Sequence, residues 1–363
     1  MITLRPRRGG AGLGIVIVAC ILVIGITFAF IGGPMLVTVS NTFYNGVDVA
    51  LGTGAGQELS GSNNSSIIYY LNGSSPSLLY FNAPKPSDYI TLANYMLQLI
   101  NNDRHDNGVY SNVSLDFNPA AQQHAYSMLI NNYFSHWDTQ GYKPYMRYTI
   151  AGGSGAVEEN VAYAEGPGQF MTQTAIEKAL YQLEYEMVYQ DAAHGWLHRY
   201  NILDPYHNYV SIGIAYNANV LYLVQDFENK YINWTQPIAV SQSWQVTMVG
   251  QSIYSGKIQD VEIFYDPPVS QLTPAQLAQP PYDGSYTQGT FIAGVVPSGY
   301  QIINGNTLTA TIWDVNSQGF TISFNIKELI DTYGAGEYTL YISIGASSSG
   351  SAIYLTSLTI FVP

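Results

Sequence analysis

Apolar residues recur at helical spacing in three segments between residues 89 and 232. The first segment ends at Asn107-Gly108, a pair that commonly stops a helix. The second begins at Asn118, a residue type that caps helix N-termini, and Pro119 takes the first helical position. The third, "AIEKALYQLEYEMV", places apolar residues three and four positions apart. The pattern predicts three amphipathic helices.

Shorter apolar and alternating runs follow these helices. The runs "YVSIGIAYN" and "VLYLVQDFE" flank a turn at Asn217–Asn219, which predicts an antiparallel hairpin. Helices followed by a hairpin indicate an α+β domain over residues 89–232. Six short runs separated by Gly, Pro, Ser and Asn predict an immunoglobulin-like β-sandwich over residues 240–363.

The N-terminal part of the chain has a different pattern. A basic segment at residues 1–10 precedes an apolar run at 11–33, and about 20 such residues span a membrane as a helix. The basic flank predicts a cytoplasmic N-terminus with the rest of the chain outside the cell. A cleaved secretory signal and a prepilin-like leader are the alternatives. Residues 34–88, rich in Ser, Asn and Gly, predict a stalk with short strands.

Composition narrows the class of protein further. Only 10% of the 363 residues are charged, against roughly 25% in typical soluble domains, and the net charge is −13. An acidic chain lacks the clustered Lys and Arg that nucleic-acid binding requires. The single cysteine, Cys20, lies within the apolar run, which excludes a disulfide framework and a cysteine metal site.

Five N-x-S/T sequons indicate a location where glycosylation takes place. They begin at Asn63, Asn64, Asn72, Asn112 and Asn233. Together with the Tyr-rich, charge-poor composition, the sequons suggest a glycosylated cell-surface protein of archaeal type.

The histidines cluster in the predicted α+β domain. The six are His105, His124, His136, His194, His198 and His207. His194 and His198 are four residues apart, the spacing of two zinc ligands on one helical face. Position 195 is Gly, however, where a zinc protease of the H-E-x-x-H type has its glutamate base. We therefore interpret His194 as part of a turn at a helix end.

A longer series of motifs, in order, resembles the CAP superfamily of cysteine-rich secretory proteins, antigen 5 and plant pathogenesis-related proteins. The matching positions are Arg104, "FSH" at 134–136, Gly141, Pro144, Arg147, "ENVA" at 159–162 and "LHRYNIL" at 197–203. The resemblance covers about residues 90–230. It implies an α-β-α sandwich around a groove in which two histidines and two acidic residues can bind a divalent metal.

The resemblance assigns the groove residues one by one. His136 matches the histidine of F-S-H, and Glu159 matches the glutamate of E-N-[IV]-A. His198 matches the histidine of G-H-R, although Leu197 replaces the usual glycine. The second acid belongs on the third helix, where we favour Glu184 over Glu186.

Two interpretations of these four residues remain open. They are reasonable ligands for Zn²⁺ or another divalent ion. Alternatively, each His–Glu pair simply satisfies its own buried polar atoms. Strong acid would favour the second interpretation, because protonated imidazoles are poor ligands. We expect the nearby aromatic residues Trp137, Tyr145 and Tyr163 to belong to the core.

The sequence therefore predicts a membrane-anchored surface protein. Its CAP domain would bind a divalent metal, lipid or peptide, and its β-sandwich would contact S-layer or other surface components. One alternative is a metal-assisted extracellular hydrolase acting on peptides, with His136, Glu159, Glu184 and His198 as catalytic candidates. Another is a pilin-like filament subunit. We expect a binding module rather than an enzyme, because no Ser or Cys nucleophile motif is present.

Overall fold

The computed structural model describes residues 83–236, 238–302, 305–345 and 352–363, together with the backbone strand Val16–Ala19. The predicted basic segment and almost all of the predicted stalk lie outside these residues, as do Cys20, Asn63, Asn64 and Asn72. Within the described residues, no helix is both long and apolar enough to cross a membrane. Of the predicted membrane helix only Val16–Ala19 is described, and these four residues form a β-strand instead of a helix. Their backbone pairs with the edge of a sheet.

The first domain, residues 89–229, contains five helices and, with the N-terminal strand, one five-stranded sheet. The helices are α1 (Tyr89–Asp106), α2 (Pro119–Asn131), α3 (Pro144–Ile150), α4 (Gln173–Tyr189) and α5 (Leu197–Ile202). The strands are β1 (Val16–Ala19), β2 (Ser114–Asp116), β3 (Ala156–Glu165), β4 (Tyr209–Tyr216) and β5 (Val220–Asn229), in the order β1-β3-β5-β4-β2. Three helices and the β4–β5 hairpin confirm the predicted pattern; α3 and α5 are short helices that it missed.

Helices cover both faces of this sheet, as the CAP resemblance implies. Leu221 and Leu223 of β5 share a core cluster with residues of α1 and α4. Tyr222 and Val224, which alternate with them, belong to a cluster with residues of α2. Successive side chains of a strand point to opposite faces, so this division shows an α-β-α sandwich. Gly213 brings α2 close, because a Cβ there would lie 2.1 Å from the carbonyl oxygen of Ala121.

The second domain, residues 232–363, has two sheets packed around one core. One sheet consists of β9 (Ile258–Asp266), β10 (Thr290–Val296), β11 (Asn306–Thr309), β14 (Gly336–Ile344), β15 (Ile353–Tyr354) and β16 (Leu358–Val362). The other consists of β6 (Ile232–Trp234), β7 (Ala239–Val240), β8 (Gln245–Ser252), β12 (Ile312–Asn316) and β13 (Gly319–Asn325). Buried residues of both sheets form one cluster, which makes the domain a β-sandwich. Because β6 pairs with β8, the sandwich begins before the predicted residue 240.

Residues 267–289, which we call the strap, join β9 to β10 but lie against the first domain. The strap contains one short helix, α6 (Pro274–Leu277). Leu272 and Leu277 belong to the cluster that also contains Ala121 and Ala125 of α2. A second short helix, α7 (Lys327–Tyr333), lies between β13 and β14. The strap therefore ties the β-sandwich to the first domain.

Candidate functional site

A pocket of about 210 Å³ lies between β3, α5 and the strap. From the first domain it is lined by His136, Val157, Glu158, Glu159, Asn160, His194, Leu197, His198 and Asn201, and from the strap by Ser285, Tyr286, Thr287 and Gln288. The structure thus brings His136, His198 and Glu159 together in one pocket, as predicted from the motifs. It also places His194 there, which the sequence had assigned to a turn alone.

On one side of the pocket, His136 is held by a buried acid. Its Nδ1 lies 2.9 Å from Glu159 Oε1, and the other oxygen of Glu159 accepts a 2.6 Å hydrogen bond from Arg147 Nη2. Arg147 also donates to the carbonyl oxygens of His136 and Tyr142, at 2.7 and 2.8 Å. The side chain of Glu159 is fully buried. Glu159 therefore orients His136, and both of its oxygens are already engaged.

On the other side, Asp191 holds two imidazoles and the start of α5. Its Oδ1 lies 2.7 Å from Nδ1 of His198 and 3.1 Å from Nδ1 of His194. Its Oδ2 accepts hydrogen bonds from the backbone N–H groups of His198 and Arg199. Gly195, with φ +65°, separates a 3₁₀ helix at Asp191–His194 from α5. This break places both histidines beside Asp191, although no continuous helix joins them.

Burial sets the protonation of this pocket. Burial and the nearby Arg147 lower the pKa of His136 to about 3. Burial also lowers the pKa of His198, although Asp191 opposes the shift. Burial raises the pKa of Asp191, but hydrogen bonds from His194 and His198 outweigh it and bring the pKa to about 2. Burial therefore favours the neutral imidazole at both His136 and His198, which is the form that can bind a metal.

Glu159 faces a second buried acid, Asp226, across the β3–β5 pair. Burial, against the effect of Arg147, raises the pKa of Glu159 to about 7. Burial and the charge of Glu159 raise the pKa of Asp226 well above its usual range. Burial therefore disfavours two negative charges in this pair, and Arg147 balances the charge that Glu159 carries.

Glu184, predicted as the second acid of the groove, is buried but does not line the pocket. Its Oε2 accepts a 2.6 Å hydrogen bond from Gln225 Nε2 on the central strand β5. Burial raises its pKa to about 8. The prediction placed Glu184 correctly on the inward face of α4, but that face meets the sheet rather than the pocket. Glu186, the alternative, is partly exposed and accepts a hydrogen bond from Gln182 Nε2.

Two motif residues that line the pocket, Asn160 and Asn201, are hydrogen-bonded to each other. Asn201 Nδ2 donates to Asn160 Oδ1 at 2.9 Å, which links the "NIL" segment of α5 to the "ENVA" segment of β3. Arg104, fully buried, donates to the carbonyl oxygens of Ile202 and Asp204 at 2.7 and 2.8 Å. The two asparagines therefore line the pocket and join its walls, whereas Arg104 supports the end of α5 without lining the pocket.

The aromatic residues beside the motifs are part of the core, as predicted. Trp137 packs against Tyr282 of the strap, and Tyr145 is fully buried. Tyr163 packs against Phe134 and Tyr222.

Asp191 and the strap are parts of the candidate site that the sequence did not predict. Asp191 has no N-cap signal, because it is the first residue of the 3₁₀ helix and lies six residues before α5. The strap carries no local signal, because it reaches the pocket from more than 100 residues away in sequence.

Comparison with known proteins supports the resemblance of the first domain to the CAP superfamily. Residues 97–227 match the CAP family, described as the cysteine-rich secretory protein family. The CAP match covers about a third of the chain, so it concerns the first domain alone. It confirms the resemblance predicted from the motifs over these residues. No curated protein matches the chain.

Two solved structures are similar to part of the chain. An extracellular protein containing an SCP domain from Bacillus anthracis str. Ames is 22% identical over 41% of this chain and 45% of its own, with a TM-score of 0.28. The CAP domain of Enterococcal PrgA is 13% identical over 40% of this chain and 64% of its own, also with a TM-score of 0.28. Each match spans less than two thirds of the length of the solved structure's own chain.

Proposed function

We propose that the CAP region is an extracellular binding module whose pocket takes a divalent metal ion at Asp191, His194 and His198. One observation carries this proposal. Each of these three residues offers a ligand atom, and the three atoms lie within 4.8 Å of one another. The ligand set differs from the one predicted by resemblance, because His194 takes the place of His136, and Asp191 that of Glu159 and Glu184.

The distances suit a metal after small movements. Zinc bonds nitrogen at about 2.0–2.1 Å, so neighbouring ligand atoms of a tetrahedral site lie about 3.3 Å apart. Asp191 Oδ1 already lies 2.7 and 3.1 Å from the two Nδ1 atoms. A cation would take the place of the two hydrogen-bonding protons between these atoms, with each histidine carrying its proton on Nε2 instead.

The charges around the pocket favour a cation over an anion. Among the described residues that line it, Glu158 and Glu159 are acidic and none is Lys or Arg. Arg147 lies behind Glu159 and is neutralised by it. Burial lowers the pKa of His198, which favours the neutral imidazole with a lone pair for a metal.

A surface location accompanies this proposal. The two sequons within the described residues, Asn112 and Asn233, are both exposed. The β-sandwich would contact surface components. A hydrolase is less well supported, because Glu159 is locked by Arg147 and His136 and does not act as a free base.

Calorimetric titration of the metal-free full chain with Co²⁺ and Zn²⁺ at pH 6.5 tests the proposal. We expect about one ion per chain, and at least about a tenfold loss of affinity in His194→Ala and in His198→Ala. The matched control is His105→Ala, because His105 is exposed and lies outside the pocket.

Two outcomes would contradict the proposal. The first is no binding between pH 5.5 and 7.5. The second is binding that neither histidine substitution weakens, which would place the ion elsewhere. A circular dichroism spectrum of each variant shows whether the fold is retained.

A further inference from the structure

The strap is attached to the first domain by apolar anchors along its length. Leu272 and Leu277 are buried against α2 residues. Tyr282 packs edge-on against Trp137, with ring centroids 5.5 Å apart. Gly141, with φ +87°, allows close approach, since a Cβ there would lie 2.4 Å from the carbonyl oxygen of Ser270. Such contacts resemble those of a peptide seated in a groove.

Polar contacts fix the strap at both ends and in the middle. The Leu272 N–H donates to the carbonyl oxygen of Thr139 at 2.9 Å, and Ser135 Oγ donates to that of Tyr282 at 2.6 Å. Lys143 Nζ donates to Asp266 Oδ1 at 2.7 Å and to the carbonyl oxygen of Thr287 at 3.0 Å. The strap is therefore held in one register on the first domain.

The last part of the strap forms a wall of the pocket. Tyr286 OH accepts a 2.9 Å hydrogen bond from the Glu159 N–H, and its ring lies 4.9 Å from that of His136. Ser285, Thr287 and Gln288 line the pocket beside it. The strap thus covers the His136 side, while His194 and His198 lie on the opposite side with α5.

We propose that the strap sets the ligand range of the pocket, admitting a free metal ion with its water and excluding macromolecular ligands. This inference rests on the proposed metal-binding function. The pocket is partly open to solvent, and its volume of about 210 Å³ is below the roughly 300–1,000 Å³ of pockets for drug-sized ligands. A peptide or glycan would reach His136 only after Tyr286 and its strap neighbours had moved away from the pocket.

The test compares free metal with metal fixed to a polymer. One variant replaces residues 283–288 with Gly and Ser at equal length and keeps the anchors Leu272, Leu277 and Tyr282. A second, Tyr286→Ala, removes only the ring that faces His136. Both are made with His105→Ala, to remove an exposed histidine. Free Co²⁺ is followed by calorimetry, and polymer-borne metal by retention on agarose carrying Co²⁺–iminodiacetate.

We expect the parent His105→Ala chain to bind free Co²⁺ and to pass through the agarose column. Both strap variants should bind free Co²⁺ and be retained, and adding His198→Ala should abolish the retention. Retention of the parent through His198 would overturn the inference, as would strap variants that bind free Co²⁺ but still pass through.

A second readout does not depend on metal. Diethyl pyrocarbonate should modify His136 at least about tenfold faster in the strap variants than in the parent, as measured by mass spectrometry, because the strap shields it. If no chain binds Co²⁺, the metal proposal fails and this rate alone decides the role of the strap. An unchanged rate at His136 would overturn that role.

Discussion

The two sides of the pocket use the same pairing of imidazole and carboxylate in different surroundings. His136 and Glu159 are buried with Arg147, beneath the strap. His198 and His194 share Asp191, a capping residue at a break between two short helices. The first pair is neutralised and closed in, whereas the second keeps three donor atoms close together without a basic side chain in the pocket. The same pairing is therefore structural on one side and suited to a ligand on the other.

The largest effect should come from Arg147→Met, which removes the cation from the closed side. Glu159 would then be a buried carboxylate without its Arg partner, so we expect the free energy of unfolding to fall by about 3–5 kcal/mol. Urea denaturation measures this. On the side of Asp191 and His198, Arg199→Met removes hydrogen bonds to Val188 and Asn107. It should lower the free energy of unfolding by only about 1 kcal/mol. Equal losses would remove the distinction between the two sides.

The buried carboxyl of Glu184 should make the free energy of unfolding fall as the pH rises. The pKa of Glu184 is about 8 in the fold and 4.5 unfolded, so its stabilising proton is fully present below pH 4.5 and lost as pH rises through 8. Raising pH from 6.5 to 8 should therefore cost on the order of 1 kcal/mol from this group. In Glu184→Gln that part of the dependence should disappear from denaturation curves measured at the two pH values.

Burial lowers the pKa of both His136 and His198, so their effect is opposite: stability falls as pH drops below about 6.5. The window from pH 6.5 to 8 keeps the two effects apart. A Glu184→Gln chain with an unchanged slope in that window would show that the carboxyl is ionised at pH 6.5.

The smallest effect should be seen in the titration of single histidines. Asp191→Asn removes the negative charge that raises the pKa of His198, so we expect the pKa of His198 to fall further. The pKa of His136 should stay unchanged, since Glu159 and Arg147 surround it instead. NMR titration of the imidazole resonances measures both. A shift of similar size at His136 would show that the two sides act as one unit.

The sequence predicted the framework better than the site. The motif order placed His136, Glu159 and His198 in one pocket through the CAP resemblance, although the apolar pattern predicted neither the strand β3 nor the short helix α5. Glu184 was assigned wrongly, since helical spacing shows that a residue faces inward but not which inward neighbour it meets. Asp191 was missed because the 3₁₀ helix interrupts the helical period. The strap was missed because its contacts with the first domain join residues that are far apart in sequence.

The anchoring of the strap also affects how the chain can be divided. A fragment ending at residue 229 would lose Leu272, Leu277 and Tyr282, and it would expose the apolar surface around Ala121, Ala125 and Trp137. Exposed apolar patches of this kind promote aggregation. The first domain and the sandwich should therefore be expressed together, because the smallest soluble unit of this protein crosses the boundary between its two domains.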